Sequence, residues 1–399
     1  MDIFERCLDT TQLNNYTAAK IGLEQGYYPY FHEITSRQHS EVTMEGRRTI
    51  MLGSNNYLGL TSDDRVIKAA QEALDRYGSG CSGSRFLNGT LTLHNEMERQ
   101  LAEFFGVEDV VSFSTGFQAN LGIISAIASR HDILFYDRYN HASLIDAARL
   151  SLAKLVKFDH NDMDDLERCL KQAPENAGKL IVVDGVFSME GDLCDLPNIV
   201  RLAKQYGARV MVDDSHGIGT MGARGRGVAE HFGLESSVDL LMGTFSKSFA
   251  SLGGFLGASR EICMYVRHMS RPFIFSASMP PANVAAVMAS LKILREEPER
   301  PKRGRDNAEY MRQSFARLNI PAGGSESPIV PVFTYDAQRT FWITRALFES
   351  GVYVNPVIPP AVPEGGALLR TSYTATHTRE QLGFALEQFE KVFAAAPAV

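Results

Sequence analysis

The chain has 399 residues, 44% of them hydrophobic and 22% charged, with a formal net charge of −7. This length exceeds one typical core and points to a large and a small domain, while the acidic balance, without a Lys/Arg block, argues against nucleic acid as a partner. Five widely spaced cysteines without a CxxC pair suggest neither a disulfide framework nor a metal site, and "MDIFERCLDTTQLNNY" has no apolar leader core, so a cytoplasmic protein with no membrane span is expected.

Residues 1–50 read as an N-terminal arm. From residue 51, short β-branched runs alternate with amphipathic helical ones, the pattern of a largely parallel sheet covered by helices. "DDRVIKAAQEALDRYG" and "LHNEMERQLAEFFG" carry apolar residues at helical spacing and close on glycine. Strands are expected at Val110–Phe113, Ile133–Tyr136, Leu180–Asp184, Val210–Asp213, Leu240–Thr244 and Phe255–Ala258. A long helical pattern over Ala282–Glu297 leads through the charged "REEPERPKRGRD" into a smaller unit with strands near Ile329–Phe333, Val352–Asn355 and Leu368–Tyr373. We therefore divide the chain into the arm, a large domain over 51–285 and a small α+β domain over 286–399.

Ligands of open α/β sheets sit beyond the carboxyl ends of the strands. There the sequence places "STGFQAN", "DRYNHAS", "GVFSMEGD", "DDSHGIG" and "GTFSKS". The small residues and aromatic at Thr115–Gly116–Phe117 mark a helix N-terminus suited to a phosphate. Taken singly, each group has an ordinary structural reading: a helix cap at Thr115 or the Asp213–Asp214 pair, a hydrogen-bonded histidine at His141, a solvated loop lysine at Lys247. Together, an Asp–His pair and a lysine at neighbouring strand ends fit pyridoxal 5′-phosphate, which needs a Schiff-base lysine, an acid at the ring nitrogen, a stacked aromatic and a phosphate cup. Lys247 is expected to form the Schiff base, Asp213 to meet the ring nitrogen, His141 to stack, and His216 with Ser188 to meet the ring hydroxyl. The small residues of "GTFSKSFASLGG" leave room for a bulky cofactor.

"GSNNYLGL", "YGSGCSGSRFLNGTLTLHNEMERQLAEFFG", "VDGVFSMEGDL", "VDDSHGIGTMGARGRG", "GTFSKSFASLGG" and "FIFSASMPP" resemble the α-oxoamine synthases, in register over nearly the whole chain. The resemblance implies the aminotransferase-like fold type I, with a mainly parallel seven-stranded sheet in the large domain. It also implies a homodimer with active sites at its interface, acting on a small amino acid and an acyl-CoA with loss of carbon dioxide. Residue by residue, it adds phosphate contacts from Gly116, Phe117, Thr244 and Ser246, and from Ser276 toward the partner subunit's site. Arg370 of "LLRTSY" is matched to the grip on the amino-acid carboxylate, helped by Asn56.

Within this family "YYPYFHEI", "GCSGSRFLNGT" and "YVNPVIPPAVP" are most similar to the bacterial serine palmitoyltransferase branch. Ser215 stands where alanine is common. An 8-amino-7-oxononanoate synthase, a 2-amino-3-ketobutyrate CoA ligase or a specialised-metabolite synthase therefore stays open. A non-catalytic scaffold subunit would be expected to lose the Lys247, Asp213, His141 and Arg370 set.

Overall fold

A computed structural model describes residues 2–9, 11, 15–26, 28–359 and 361–397. At its centre is a seven-stranded sheet. Across it the strands run Asp109–Phe113, Gly254–Ala258, Leu240–Thr244, Arg209–Asp213, Gly178–Asp184, Asp132–Asp137 and Lys154–Phe158. Only Gly254–Ala258 is antiparallel to its neighbours. The other adjacent pairs are parallel. The central strands are buried on both faces, which is why they read as continuous apolar runs. Ile181, Val183 and Val212 pack with Ile199 and Val200 on one face. Leu180, Val182 and Met211 pack with Ile123 and Leu144 on the other.

All six expected strands of this sheet are present within two residues of their predicted limits. Lys154–Phe158 was not expected: its lysines sit on an edge strand, so "KLVKF" lacks the apolar run of a central one. The two glycine-terminated helical patterns form Asp64–Tyr77 and Thr92–Phe105. The charged stretch expected as a connection breaks only briefly, because a helix over Arg300–Arg317 begins inside it with Pro301 in its first turn, where a missing N–H removes no helical bond.

A smaller three-stranded sheet runs Ile329–Tyr335, Ala367–Ser372 and Asn355–Val357, backed by the helices Arg300–Arg317, Ala337–Glu349 and Arg379–Ala395. The expected strand Val352–Asn355 is divided between two sheets. Tyr353 pairs with Met51 of the hairpin Glu41–Met44/Arg47–Met51, whereas Asn355 pairs with Arg370. Residues of the expected arm thus end in a hairpin joined to the C-terminal part of the chain. Among the described residues, no helix is long and apolar enough to cross a membrane, and no His/Cys/Asp/Glu group could hold a metal ion.

Candidate active site

Asp137, Asp184, Asp213 and Thr244 are the last residues of four parallel strands. Beyond these ends lies a cavity of about 280 Å³, lined in part by Phe117, His141, Asp213, His216, Thr244 and Lys247. The helix Gly116–Ile127 points its N-terminus at this cavity, capped by Thr115, whose side chain accepts from the Gln118 N–H. The amides of Gly116 and Phe117 donate to no described residue. Gly116 and Gly254 are needed for the close approach here: a Cβ on Gly254 would fall 2.7 Å from Gly116 Cα, and one on Gly116 would fall 2.7 Å from Thr244 Oγ1. Thr244 Oγ1 stands 2.9 Å from Ser246 Oγ. The Thr244 hydroxyl donates to the Gly253 carbonyl at 3.0 Å, so the two open amides and the Ser246 hydroxyl are the donors suited to an anion.

Asp213, which lines the same cavity, is 3% exposed. Its carboxylate accepts from Asn120 Nδ2 at 2.7 Å and from the Ser215 N–H at 3.1 Å. Asn120 Nδ2 also donates to Ser143 Oγ at 2.8 Å, which leaves the Ser143 hydroxyl hydrogen for His141 Nδ1, also 2.8 Å away. The Ser143 N–H reaches the same ring nitrogen, so Nδ1 is an acceptor and Nε2 carries the proton. Desolvation lowers the His141 pKa, with Asp213 opposing and Lys247 adding to the shift. Asp184, buried beside Asp213, accepts from the His141 backbone N–H at 2.7 Å.

Lys247 follows the strand Leu240–Thr244 on a turn where Ala250 takes a left-handed φ of 52°. Among the described residues its amine has no hydrogen-bond or ion-pair partner. Desolvation, partly offset by Asp213 and reinforced by Arg370, lowers its pKa to about 8. His216 Nδ1 lies 2.7 Å from the Tyr57 hydroxyl, and burial together with Lys247 and Arg370 holds the imidazole neutral.

Arg370 sits in the buried middle strand Ala367–Ser372, 5% exposed and with no carboxylate partner among the described residues. Its Nη2 donates to Asn55 Oδ1 and Tyr57 Oη, each at 3.0 Å, and its Nε donates to the Ser188 carbonyl. Nη1 donates to no described residue. Asn56, the expected helper, has its Oδ1 accepting from the Thr61 N–H at 3.3 Å, and it is Asn55 that meets Arg370. Ser188 lines an adjoining cavity of about 500 Å³ rather than the Lys247 cavity, and only its carbonyl meets Arg370. Ser276 lies on the outer side beside Ser114 and Gln118.

The sequence reading did not single out Asn120, Ser143, Asp184, Asn55 or Tyr57. Asp184 could have been found as a strand-end carboxylate, as Asp213 was. The cavity fits pyridoxal phosphate: its lining offers open amides at a helix N-terminus, a buried carboxylate, and an amine of lowered pKa without a partner among the described residues.

The aminotransferase class I and II family matches residues 47–389. A serine palmitoyltransferase of Sphingobacterium spiritivorum is 49% identical over 369 residues, 92% of each chain. An 8-amino-7-oxononanoate synthase of Thermosipho melanesiensis is 45% identical, covering 92% of this chain and 94% of its own. The structure of serine palmitoyltransferase from S. paucimobilis with a bound PLP–myriocin aldimine superposes with a TM-score of 0.95 at 37% identity over 99% of both chains. With this match along its length and a cavity equipped for the cofactor, the chain belongs to the aminotransferase class I and II family, as an α-oxoamine synthase, a pyridoxal-phosphate-dependent acyltransferase.

Proposed function

We propose that the protein condenses L-serine with a long-chain acyl-CoA, releasing carbon dioxide and coenzyme A and forming 3-ketodihydrosphingosine, the entry step of sphingolipid synthesis. One observation carries the amino-acid half of this reading: the buried Arg370 guanidinium, without an ion pair among the described residues and close enough to Lys247 to lower its pKa. Such a group is costly to leave unpaired and suits a substrate carboxylate. Similarity to serine palmitoyltransferases at 48–49% identity supports the choice of serine and a long acyl chain.

Bound pyridoxal phosphate supplies an electron sink for negative charge on the carbon next to the amino nitrogen. The remaining roles belong to the chain. Gly116, Phe117, Thr244 and Ser246 would hold the phosphate, Asp213 would keep a proton on the ring nitrogen, and His216 would serve the ring hydroxyl, whereas Ser188 lines the adjoining cavity. Lys247 would be the covalent anchor and, once the amino group of the substrate has displaced it as a free amine, would take the α-proton of the amino acid, a task for which an amine of pKa about 8 is suited. His141 stacks on the ring and presents Nε2–H to the substrate carboxylate. Arg370 grips that carboxylate through Nη1, with Asn55 and Tyr57 fixing its plane.

The working unit in this proposal is a homodimer. Leu87 and Phe275 are each 76% exposed, on segments packed together where Ser278 donates to the Gly83 carbonyl. Ser114 ties the second segment to the cavity rim through the Ala277 carbonyl. An apolar surface next to an active site is suited to a second copy. From there Ser276 would reach the partner subunit's phosphate.

Steady-state assay of L-serine, glycine and L-alanine against acyl-CoAs of several lengths tests the substrate assignment. L-serine with a long-chain acyl-CoA should give the highest kcat/KM. A preference for L-alanine with a pimeloyl thioester would make this chain an 8-amino-7-oxononanoate synthase.

A further inference from the structure

Outside the cofactor cavity, His160 joins the loop that leads to His141 with the turn that carries Ser188. Its Nδ1 lies 2.9 Å from Asp137 Oδ1 and its Nε2 lies 2.8 Å from Asp192 Oδ2. Both ring nitrogens face carboxylates, so both must donate and the ring is a cation. Burial opposes that charge, but the two hydrogen bonds outweigh it and raise the pKa to about 10. Tyr139 stacks on the ring at 4.4 Å and Phe187 meets it edge-on at 4.5 Å.

Each carboxylate leads toward the site. Asp137 ends its strand and accepts from the Tyr139 N–H, two residues before His141. Asp192 closes a turn in which the Phe187 N–H donates to the Asp192 carbonyl and the Gly191 N–H donates to the Phe187 carbonyl. Ser188 lies inside that turn, and its carbonyl accepts from Arg370 Nε. The imidazolium therefore fixes the turn whose carbonyl sets the direction of the guanidinium.

We propose that His160 is a positioning residue for the amino-acid carboxylate subsite, acting through the Asp192 turn and the Ser188 carbonyl on Arg370. It rests on the reading of Arg370 as the carboxylate grip.

The test uses the holoenzyme, titrated with L-serine, glycine and L-alanine and followed by the absorbance of the bound cofactor. The tightest-binding amino acid serves as reference. His160→Gln keeps at most one of the two hydrogen bonds. It should raise the amino-acid Kd roughly tenfold and leave the acyl-CoA KM within about twofold, as expected for a coupled neighbour rather than a contact residue. In an Arg370→Lys background, which has no Nε–H to donate to the Ser188 carbonyl, the same substitution should have a much smaller effect. Should His160→Gln fail to fold, Asp192→Asn reports the same coupling with His160 and Asp137 intact. Equal weakening in both backgrounds, or an unchanged amino-acid Kd in the single variant, overturns the proposal. If Arg370→Lys alone leaves the amino-acid Kd unchanged, the carboxylate-grip reading fails instead, and the proposal with it.

Discussion

Asp184 and Asp213 stand side by side, paired in register on adjacent parallel strands, and both are buried. Two carboxylates so close in a dehydrated site do not both ionise easily. Burial and the nearby Asp213 push the Asp184 carboxyl well above its ordinary value of 3.8. Asp213 accepts from two donors, Asn120 Nδ2 and the Ser215 N–H.

This relationship predicts a pH-dependent effect on stability. Between the ordinary and the raised value, folded Asp184 holds a proton that the unfolded chain has released, so stability declines as pH rises through that window. Asp184→Asn keeps an acceptor for the His141 N–H but does not titrate. The melting temperature of the variant relative to the unsubstituted protein should therefore increase from about pH 4 upward and level off above the folded pKa. A difference independent of pH would show that Asp184 ionises normally.

Asp213→Asn tests the ring-nitrogen partner. The asparagine cannot carry the charge that retains a ring proton, and its NH2 must face either Asn120 Nδ2 or the Ser215 N–H, both donors. Cofactor should still bind, more weakly, while turnover falls by orders of magnitude. Asn120→Ala keeps the carboxylate but breaks the chain through Ser143 to His141, and should lower turnover by a smaller factor. Near-normal turnover of Asp213→Asn would move the ring-nitrogen role elsewhere.

Strands and strand ends were the legible parts of this sequence. Val182 and Met211 lie in runs of apolar residues because their strands are covered on both faces, and the polar residues after them stand out against those runs. Lys154–Phe158 escaped notice because an edge strand needs no such run. Lys247, Asp213, His141 and His216 were legible because a functional group at a strand end has few ordinary reasons to recur from strand to strand. Asn120 was not, since it sits on a buried helical face and meets Asp213 only through the fold. Tyr57 and Asn55 reach Arg370 from the other end of the chain, a contact no local pattern encodes. For the same reason the sequence could not show that Asn55 meets Arg370 while Asn56 Oδ1 accepts from the Thr61 N–H.

Lys247 gives a prediction about cofactor removal. Its amine is lowered to about 8, so it is mostly cationic at neutral pH and mostly neutral above the folded value. Only the neutral amine is a nucleophile. Covalent capture of pyridoxal phosphate by cofactor-stripped protein should speed up as pH rises through about 8 and then flatten, whereas an ordinary lysine would keep gaining to about 10.4. Lys247→Ala should fold and bind the cofactor without a borohydride-fixable link. A fixable link in that variant would place the nucleophile on another lysine.

Arg370 gives the sharpest separation between the two substrates. The residue is buried, its Nε and Nη2 are occupied by the Ser188 carbonyl, Asn55 and Tyr57, and Nη1, which donates to no described residue, is placed to meet a carboxylate. Losing a charge-assisted grip from a desolvated site should cost roughly 2–4 kcal/mol, or about 30- to 1000-fold in affinity. Arg370→Ala should therefore raise the amino-acid Kd by that factor and leave the acyl-CoA KM nearly unchanged. Arg370→Lys should recover only part of the loss, because a single ammonium cannot face the Ser188 carbonyl and the Asn55–Tyr57 pair while also meeting the substrate. Parallel titrations of each variant with the amino acid and the acyl-CoA decide the matter. A matching loss for both substrates would mean that Arg370 shapes the cavity as a whole instead of holding one carboxylate.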